Sequence, residues 1–312
     1  MIKPVLFYVC ILLNSYLVGQ TDTLKQNVPL LKIADSNVSD IVVYIFNNAT
    51  TLVNSQSSVT LKKRTLQFNV DARFGNIMSS SLNSSAHSAF GIDNLNDLRL
   101  SANYGITDNI TVGVGRSKYR ELLDGSIKCR FLTQSKKMPL SICAYANAGY
   151  SAIPSSQLYE GTVKPVTKEA HRLQYISQIL IAHQFNKHIY VQLMPTYVHR
   201  NFMKELVNTN NYAEDSNGLF SMGIGAHIKL SNCVTFVADY FYNFSKFQHN
   251  NPTPYYNALG VGLEVHKKGC FIKLNVTNNT AIMSSSFLPS TQDSWAKGQF
   301  KLGVSISKHL SL

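Results

Sequence analysis

The chain has 312 residues with 29 Lys and Arg against 17 Asp and Glu, a formal net charge of +12, and 45% of its residues are apolar. That length holds one large domain or two small ones, and the basic balance favours anionic partners. Beyond the N-terminus no apolar run reaches the roughly 18 residues of a membrane helix, which excludes helical membrane proteins but not membrane strands, which are only half apolar.

Lys3 supplies a basic start, residues 4–13 (PVLFYVCILL) are almost wholly apolar, and Leu17-Val18-Gly19 offers a small-residue exit. This pattern predicts a secretory signal peptide over 1–19, cleaved after Gly19. The run breaks at Asn14-Ser15, short of the ~20 apolar residues of an anchor. Secretion makes nucleic acid an unsuitable partner. Residues 20–63 form a polar segment with one strand-like run at 40–46 (DIVVYIF), ending in Lys62-Lys63-Arg64. It reads equally as a periplasmic arm or as a plug folding into a lumen.

The stretch 98–117 (LRLSANYGITDNITVGVGRS) sets the pattern for the rest. Two runs of strict period two flank an Asp108-Asn109 turn, so each strand has one apolar and one polar face. From Arg64 onward twelve such runs are predicted: 64–74, 95–105, 109–118, 124–133, 139–150, 171–185, 187–200, 217–230, 232–245, 255–266, 270–278 and 298–308. Their connections follow a rhythm. Those in even positions are always short, and those in odd positions are mostly long. Up-and-down outer-membrane barrels sort their loops in this way, with long loops outside and tight turns in the periplasm. A secreted β-sandwich has no reason to do so. The expected fold is all-β: a twelve-stranded antiparallel transmembrane barrel over 64–312, preceded by the signal peptide and the short arm.

One parity of these runs is apolar, as in Leu66/Phe68/Val70/Ala72/Phe74 and Phe220/Met222/Ile224/Ala226/Ile228. The other carries Asp71, Arg73, Asp97, Arg99, Lys128, Arg130, Lys229, Asp239, Glu264, Lys273 and Lys301. In a barrel the first faces lipid and the second the lumen. Runs 139–150 and 187–200 blur the pattern. Tyr150, Tyr242, Phe244, Tyr255 and Tyr256 fall near the long-loop ends, and Tyr104, Phe185 and Tyr190 near the tight-turn ends. Interfacial girdles would place them so.

Three Gly-x-Gly pairs (113/115, 223/225, 260/262) continue as strands, not as helices, so they are not phosphate loops. All six glycines share the lumen parity, where a missing side chain makes room for bulky neighbours. The nine histidines show no metal-ligand spacing, and no G-x-S-x-G supports a hydrolase triad, so neither cofactor nor metal is expected. Once Cys10 leaves with the leader, Cys129, Cys143, Cys233 and Cys270 remain. Cys129 and Cys143 flank the connection 134–138, where a cross-strand disulfide is conceivable and packed thiols are preferred.

RFGN (73–76), FGIDN (90–94), YGITDNITVGVGRS (104–117), DGSIKCRFL (124–132), FLPSTQD (287–293) and KLGVSIS (301–307) occur together. In these motifs the chain resembles a β-barrel domain-of-unknown-function family of Bacteroidota, secreted and outer-membrane. The resemblance spans roughly 64–308. It implies fold and location only, because the family has no established substrate.

The leading functional expectation is a channel or binding protein, not an enzyme, for a small anionic solute. It would sit in outer-membrane lipid, with Arg73, Arg99, Lys128, Arg130, Lys229, Lys273, Lys301, Asp71, Asp239 and Glu264 as lumen contacts. The alternatives are a non-conducting interaction barrel sealed by ion pairs and a barrel-embedded hydrolase.

Overall fold

Period-two patterning becomes a sheet only if every strand finds a partner, and here the two end strands find each other. The computed structural model describes residues 49–78, 87–154, 168–201 and 206–312. All belong to the unit Asp40–Leu312, one of two into which the chain divides, the other being Met1–Ser39. The predicted signal peptide and the strand-like run at 40–46 lie outside the described residues.

The strands are β1 (Thr65–Asn76), β2 (Leu95–Thr107), β3 (Ile110–Ser117), β4 (Leu122–Leu132), β5 (Ser141–Ser151) and β6 (Leu173–Gln184). They continue as β7 (Ile189–Arg200), β8 (Gly218–Lys229), β9 (Val234–Phe244), β10 (Ala258–Lys267), β11 (Cys270–Thr277) and β12 (Lys301–Ser311). Each pairs antiparallel with its sequence neighbours. β1 pairs with β12, Thr65 opposite Ser311 and Val70 opposite Ile306, which closes the barrel. Closure removes the unpaired edge that lipid could not satisfy.

The alternation sorts the two faces as anticipated. Phe68, Leu100, Val114, Ile127, Ile179, Leu193, Ile224, Leu263 and Leu274 point outward and are exposed around the circumference. A soluble monomer does not display an apolar band of that extent; a lipid-facing wall requires it. The blurred strands resolve as well. β5 turns Ile142, Ala144, Ala146 and Ala148 outward and buries Cys143, Tyr145 and Asn147. β7 turns Leu193, Pro195 and Tyr197 outward and buries Tyr190, Gln192, Met194, Thr196 and Val198.

Tyr190 therefore departs from the sequence expectation. It is 5% exposed and faces the lumen, so it is no part of an interfacial girdle. The cysteines carry no disulfide among the described residues. Cys129 stands opposite Ala144 and Arg130 opposite Cys143, so the two thiols point to opposite sides of the sheet and cannot meet.

Candidate functional site

The interior is occupied. Residues 49–64 enter from the short-turn mouth. Leu61 N donates to Thr111 Oγ1 at 2.9 Å, Lys63 N to Asp108 Oδ1 at 2.8 Å, and Arg64 N to Gly105 O at 2.9 Å. The segment climbs, reverses in a tight turn in which Leu52 N donates to Ser55 O at 2.8 Å, and descends. Thr51 pairs with Gln56, and Ser57 N donates to Thr50 O at 2.9 Å. The result is a small hairpin inside the barrel with Val53 and Asn54 at its tip.

Barrel side chains bind the main chain of this hairpin. Asp239 receives Asn54 N (2.7 Å), Asn54 Nδ2 (2.8 Å) and Ser55 Oγ (2.9 Å), so one carboxylate caps the tip. Lys128 Nζ donates to the carbonyls of Thr50, Ser57 and Val59 at 3.0, 3.1 and 3.3 Å. Lys273 Nζ reaches Thr51 O at 3.1 Å and also Leu52 O, while it holds an ion pair with Glu264, its cross-strand neighbour, at 3.4 Å. Gln192 Nε2 donates to Gln56 O at 2.7 Å, and Ser58 N meets the Tyr190 hydroxyl at 3.1 Å. Ammonium-to-carbonyl and carboxylate-to-amide bonds are the stronger kind of hydrogen bond, and here they replace the water these charges would otherwise need.

The opposite mouth is closed by the long connection between β11 and β12, which carries a single helical turn, Ser284–Phe287. Ile282 N donates to Asp97 Oδ2 at 2.9 Å, and Gln174 Nε2 to Ser285 Oγ at 3.0 Å. Ser284 Oγ donates to Asn54 O at 3.3 Å, so loop and hairpin tip meet inside the lumen. Leu52, Phe287 and Leu288 then share one apolar core with the inward Ile176, Leu180, Met194, Val198 and Phe241. The β6–β9 part of the lumen is thus partly apolar, where the sequence led to the expectation of a polar interior. It is packed by the chain's own segments instead of being wetted. Across from it, a polar cavity of about 90 Å³ remains beside the hairpin, bordered by Asp71, Ser101, Asn103, Ser305 and Ser307.

The sequence-selected residues fall in several places. Lys128, Lys273, Asp239 and Glu264 bind the hairpin directly or, for Glu264, through Lys273. Arg73 joins hairpin to loop, donating to Asn54 Oδ1 at 3.2 Å and Asn279 O at 3.3 Å. Arg99 and Lys301 are ion-paired, Arg99 to Asp124 at 2.5 Å and Lys301 to Asp293 of the loop, while Asp71 borders the cavity. Arg130 and Lys229 are not deep in the lumen. Arg130 donates to Asp108 O and Asn109 Oδ1 on the β2–β3 turn, and Lys229 ends β8 at the short-turn mouth.

Sequence reasoning missed Gln174 and Gln192 as lumen contacts, put Tyr190 at an interface, and offered a plug from 20–63 only as one of two alternatives, without its hairpin form. Inward amides at period two in β6 and β7 were the available signal. The inward glycines match their neighbours. A Cβ on Gly225 would stand 2.7 Å from the Leu52 side chain, and one on Gly260 2.4 Å from Asn54 Nδ2. For the histidines the placements are local: His183 and His188 contact Pro139 O and Lys229 O, and His199 stacks with Tyr175 and Tyr197 on the outer face. Among the described residues no group of His, Cys, Asp and Glu is arranged to hold a metal ion.

A comparison with curated proteins gave no match. Among solved structures the chain is similar to the NanC porin, at 7% identity and a TM-score of 0.48, over 79% of this chain and all of the other (100%). It is similar to an outer membrane channel from Pseudomonas putida F1, at 9% identity and a TM-score of 0.46, over 81% and 98%. It is also similar to the outer membrane phospholipase A from Escherichia coli, at 12% identity and a TM-score of 0.41, over 77% and 89%. These likenesses are to channels and to an enzyme alike. The family model described as "Membrane bound beta barrel domain (DUF5777)" matches residues 47–310, hairpin and barrel together. An apolar outer band on a closed cylinder is the architecture of the outer membrane, and the chain belongs to this family of membrane-bound β-barrels.

Proposed function

We propose that the protein is an outer-membrane channel for small anionic solutes, closed by its own N-terminal hairpin. In this reading residues 1–19 are a cleaved leader, and the arm 20–63 carries the closing element at 49–60. Short turns face the periplasm, so the hairpin enters from the periplasmic side and the β11–β12 loop covers the outside.

The observation that supports the reading is the way the hairpin is held. It adds no strand to the barrel wall, and its bonds to the wall run between wall side chains and its main chain or its own side chains. Such contacts can be exchanged for water without breaking the barrel. The charge balance supports the solute class. Withdrawal would free Lys128, Lys273 and Arg73 from their hairpin acceptors, and only Asp239 among the acids would lose its hairpin donors. Uncompensated cations in a narrow, low-dielectric lumen favour anions. Arg99 and Lys301 would extend the basic lining, and Arg130 and Lys229 would mark its periplasmic end.

A variant lacking 49–60, in planar bilayers under a KCl gradient, tests this: the reversal potential should report anion preference, and cation preference would contradict it. A sealed, non-conducting barrel is the second reading, favoured by the apolar core that Leu52 shares with Phe287 and Leu288. It expects no conductance from the wild type under any applied voltage, and a large loss of thermal stability when the hairpin is removed.

A further inference from the structure

The long-loop mouth carries a second concavity beside the loop that closes the lumen, to which its lining residues Asn243 and Gln248 donate at Leu288 O and Pro289 O. It measures about 810 Å³. Its floor is the end of β9, where Tyr242 and Phe244 point away from the barrel axis, 48% and 56% exposed. The two rings meet edge to face at 5.0 Å, and Phe220 of the adjacent strand lies 5.6 Å from Phe244. The floor therefore continues the lipid-facing band up to the level where acyl chains give way to headgroups, the place where interfacial aromatics collect.

Its wall is the β9–β10 loop, which is held in a fixed shape. Asn208 Nδ2 donates to the carbonyls of Phe247 and His249, both at 2.9 Å, and Asn211 Nδ2 to those of Lys246 (2.7 Å) and His249 (3.2 Å). Phe247 is buried as an anchor, and Asn250 takes a left-handed φ of 51°, a conformation its short polar side chain tolerates. These bonds use the loop's carbonyls and leave Lys246 and His249, which line the concavity, exposed. No lining residue is Asp or Glu. The site thus pairs aromatic faces, open sideways to lipid, with a lysine and an imidazole donor that no lining carboxylate offsets.

A polar, anionic group tethered to an acyl chain fits both features. A sugar ring lays its C–H face on an aromatic ring, and a phosphate accepts charge-assisted bonds from a Lys or a protonated His. We infer that this concavity binds the phosphorylated sugar headgroup of an outer-leaflet glycolipid. The inference rests on the barrel lying in the outer membrane with its long loops outward, and not on the channel reading.

Barrels in nanodiscs, analysed by native mass spectrometry with bisphosphorylated lipid A or phosphatidylglycerol as probe, test it. Lipid A should be retained at about one-tenth the concentration that phosphatidylglycerol needs. The double variant K246A/H249A should weaken lipid A retention about tenfold, equivalent to about 1.4 kcal/mol, and leave phosphatidylglycerol unchanged. K136A, on the β4–β5 connection at the other mouth, should change neither. Phe244→Ala should weaken lipid A too, but it can disturb folding, so the two exposed side chains carry the test. Equal retention of both lipids, a K246A/H249A variant that binds like wild type, or full competition by soluble glucose phosphate overturns the inference. Conductance is no part of the readout, so a failed channel reading leaves the result interpretable.

Discussion

Asp239 decides where the hairpin tip sits. It is 2% exposed and accepts three hydrogen bonds from Asn54 and Ser55. Hydrogen bonds to a charged group contribute about 1.5–3 kcal/mol each. Asp239→Asn keeps the volume and removes the charge, so the barrel should form while the tip loosens, and labelling of a cysteine placed at Val53 by a small thiol reagent should speed up about tenfold or more. Unchanged labelling would mean that the apolar core alone holds the tip. Gly105 is the second such position. A Cβ there would stand 2.1 Å from the Lys62 carbonyl oxygen, a main-chain atom that cannot swing aside. Gly105→Ala should therefore lift residues 61–63 off the β2–β3 turn, read as faster amide exchange at Leu61. The inner face of these residues was legible from parity. Their partners were not, because a backbone carbonyl delivered by residues 49–59 leaves no mark on residue type.

At the scale of elements, β7, one of the two blurred strands, and its neighbour β6 show how a protein-filled lumen weakens alternation. Their outer residues Ile179 and Leu193 meet lipid, while their inner faces are mixed: Ile176, Leu180, Met194 and Val198 join the core of Leu52, Phe287 and Leu288, beside the buried Gln174, Gln178, Gln192 and Thr196. Alternation weakens wherever the lumen is filled by protein instead of water. β1, β10 and β11 face polar partners inside, and their alternation was plain. The shared core also couples the two closing elements, one from each mouth. Truncating a buried aromatic leaves a cavity costing roughly 3–5 kcal/mol. Phe287→Ala, made in the outer loop, should thus accelerate amide exchange in the hairpin at Leu52 and Ser57 as well as in the loop. Acceleration confined to the loop would show that the two closures act independently.

For the molecule as a whole, strand number and closure follow from sequence patterns that local physics controls: period two, turn residues and loop lengths that alternate in length. Strand positions fell within a few residues of those observed, with β12 displaced most, to Lys301–Ser311. The state of the lumen was beyond that reach. Segment 20–63 reads equally as an arm or as a plug, and only the closed cylinder reveals that the main chain of 49–59 satisfies Lys128, Lys273 and Asp239. These charges sit inside because the hairpin is there, and the hairpin stays because they are charged. In the proposed channel, withdrawal of the hairpin would expose this same charge network to the solute.

The most direct measurement is single-channel recording of the full chain beside the variant lacking 49–60, in the same bilayer and salt. The occlusion account predicts a closed baseline for the full chain and stable open steps for the variant. Equal conductance from both, or none from either, would contradict it.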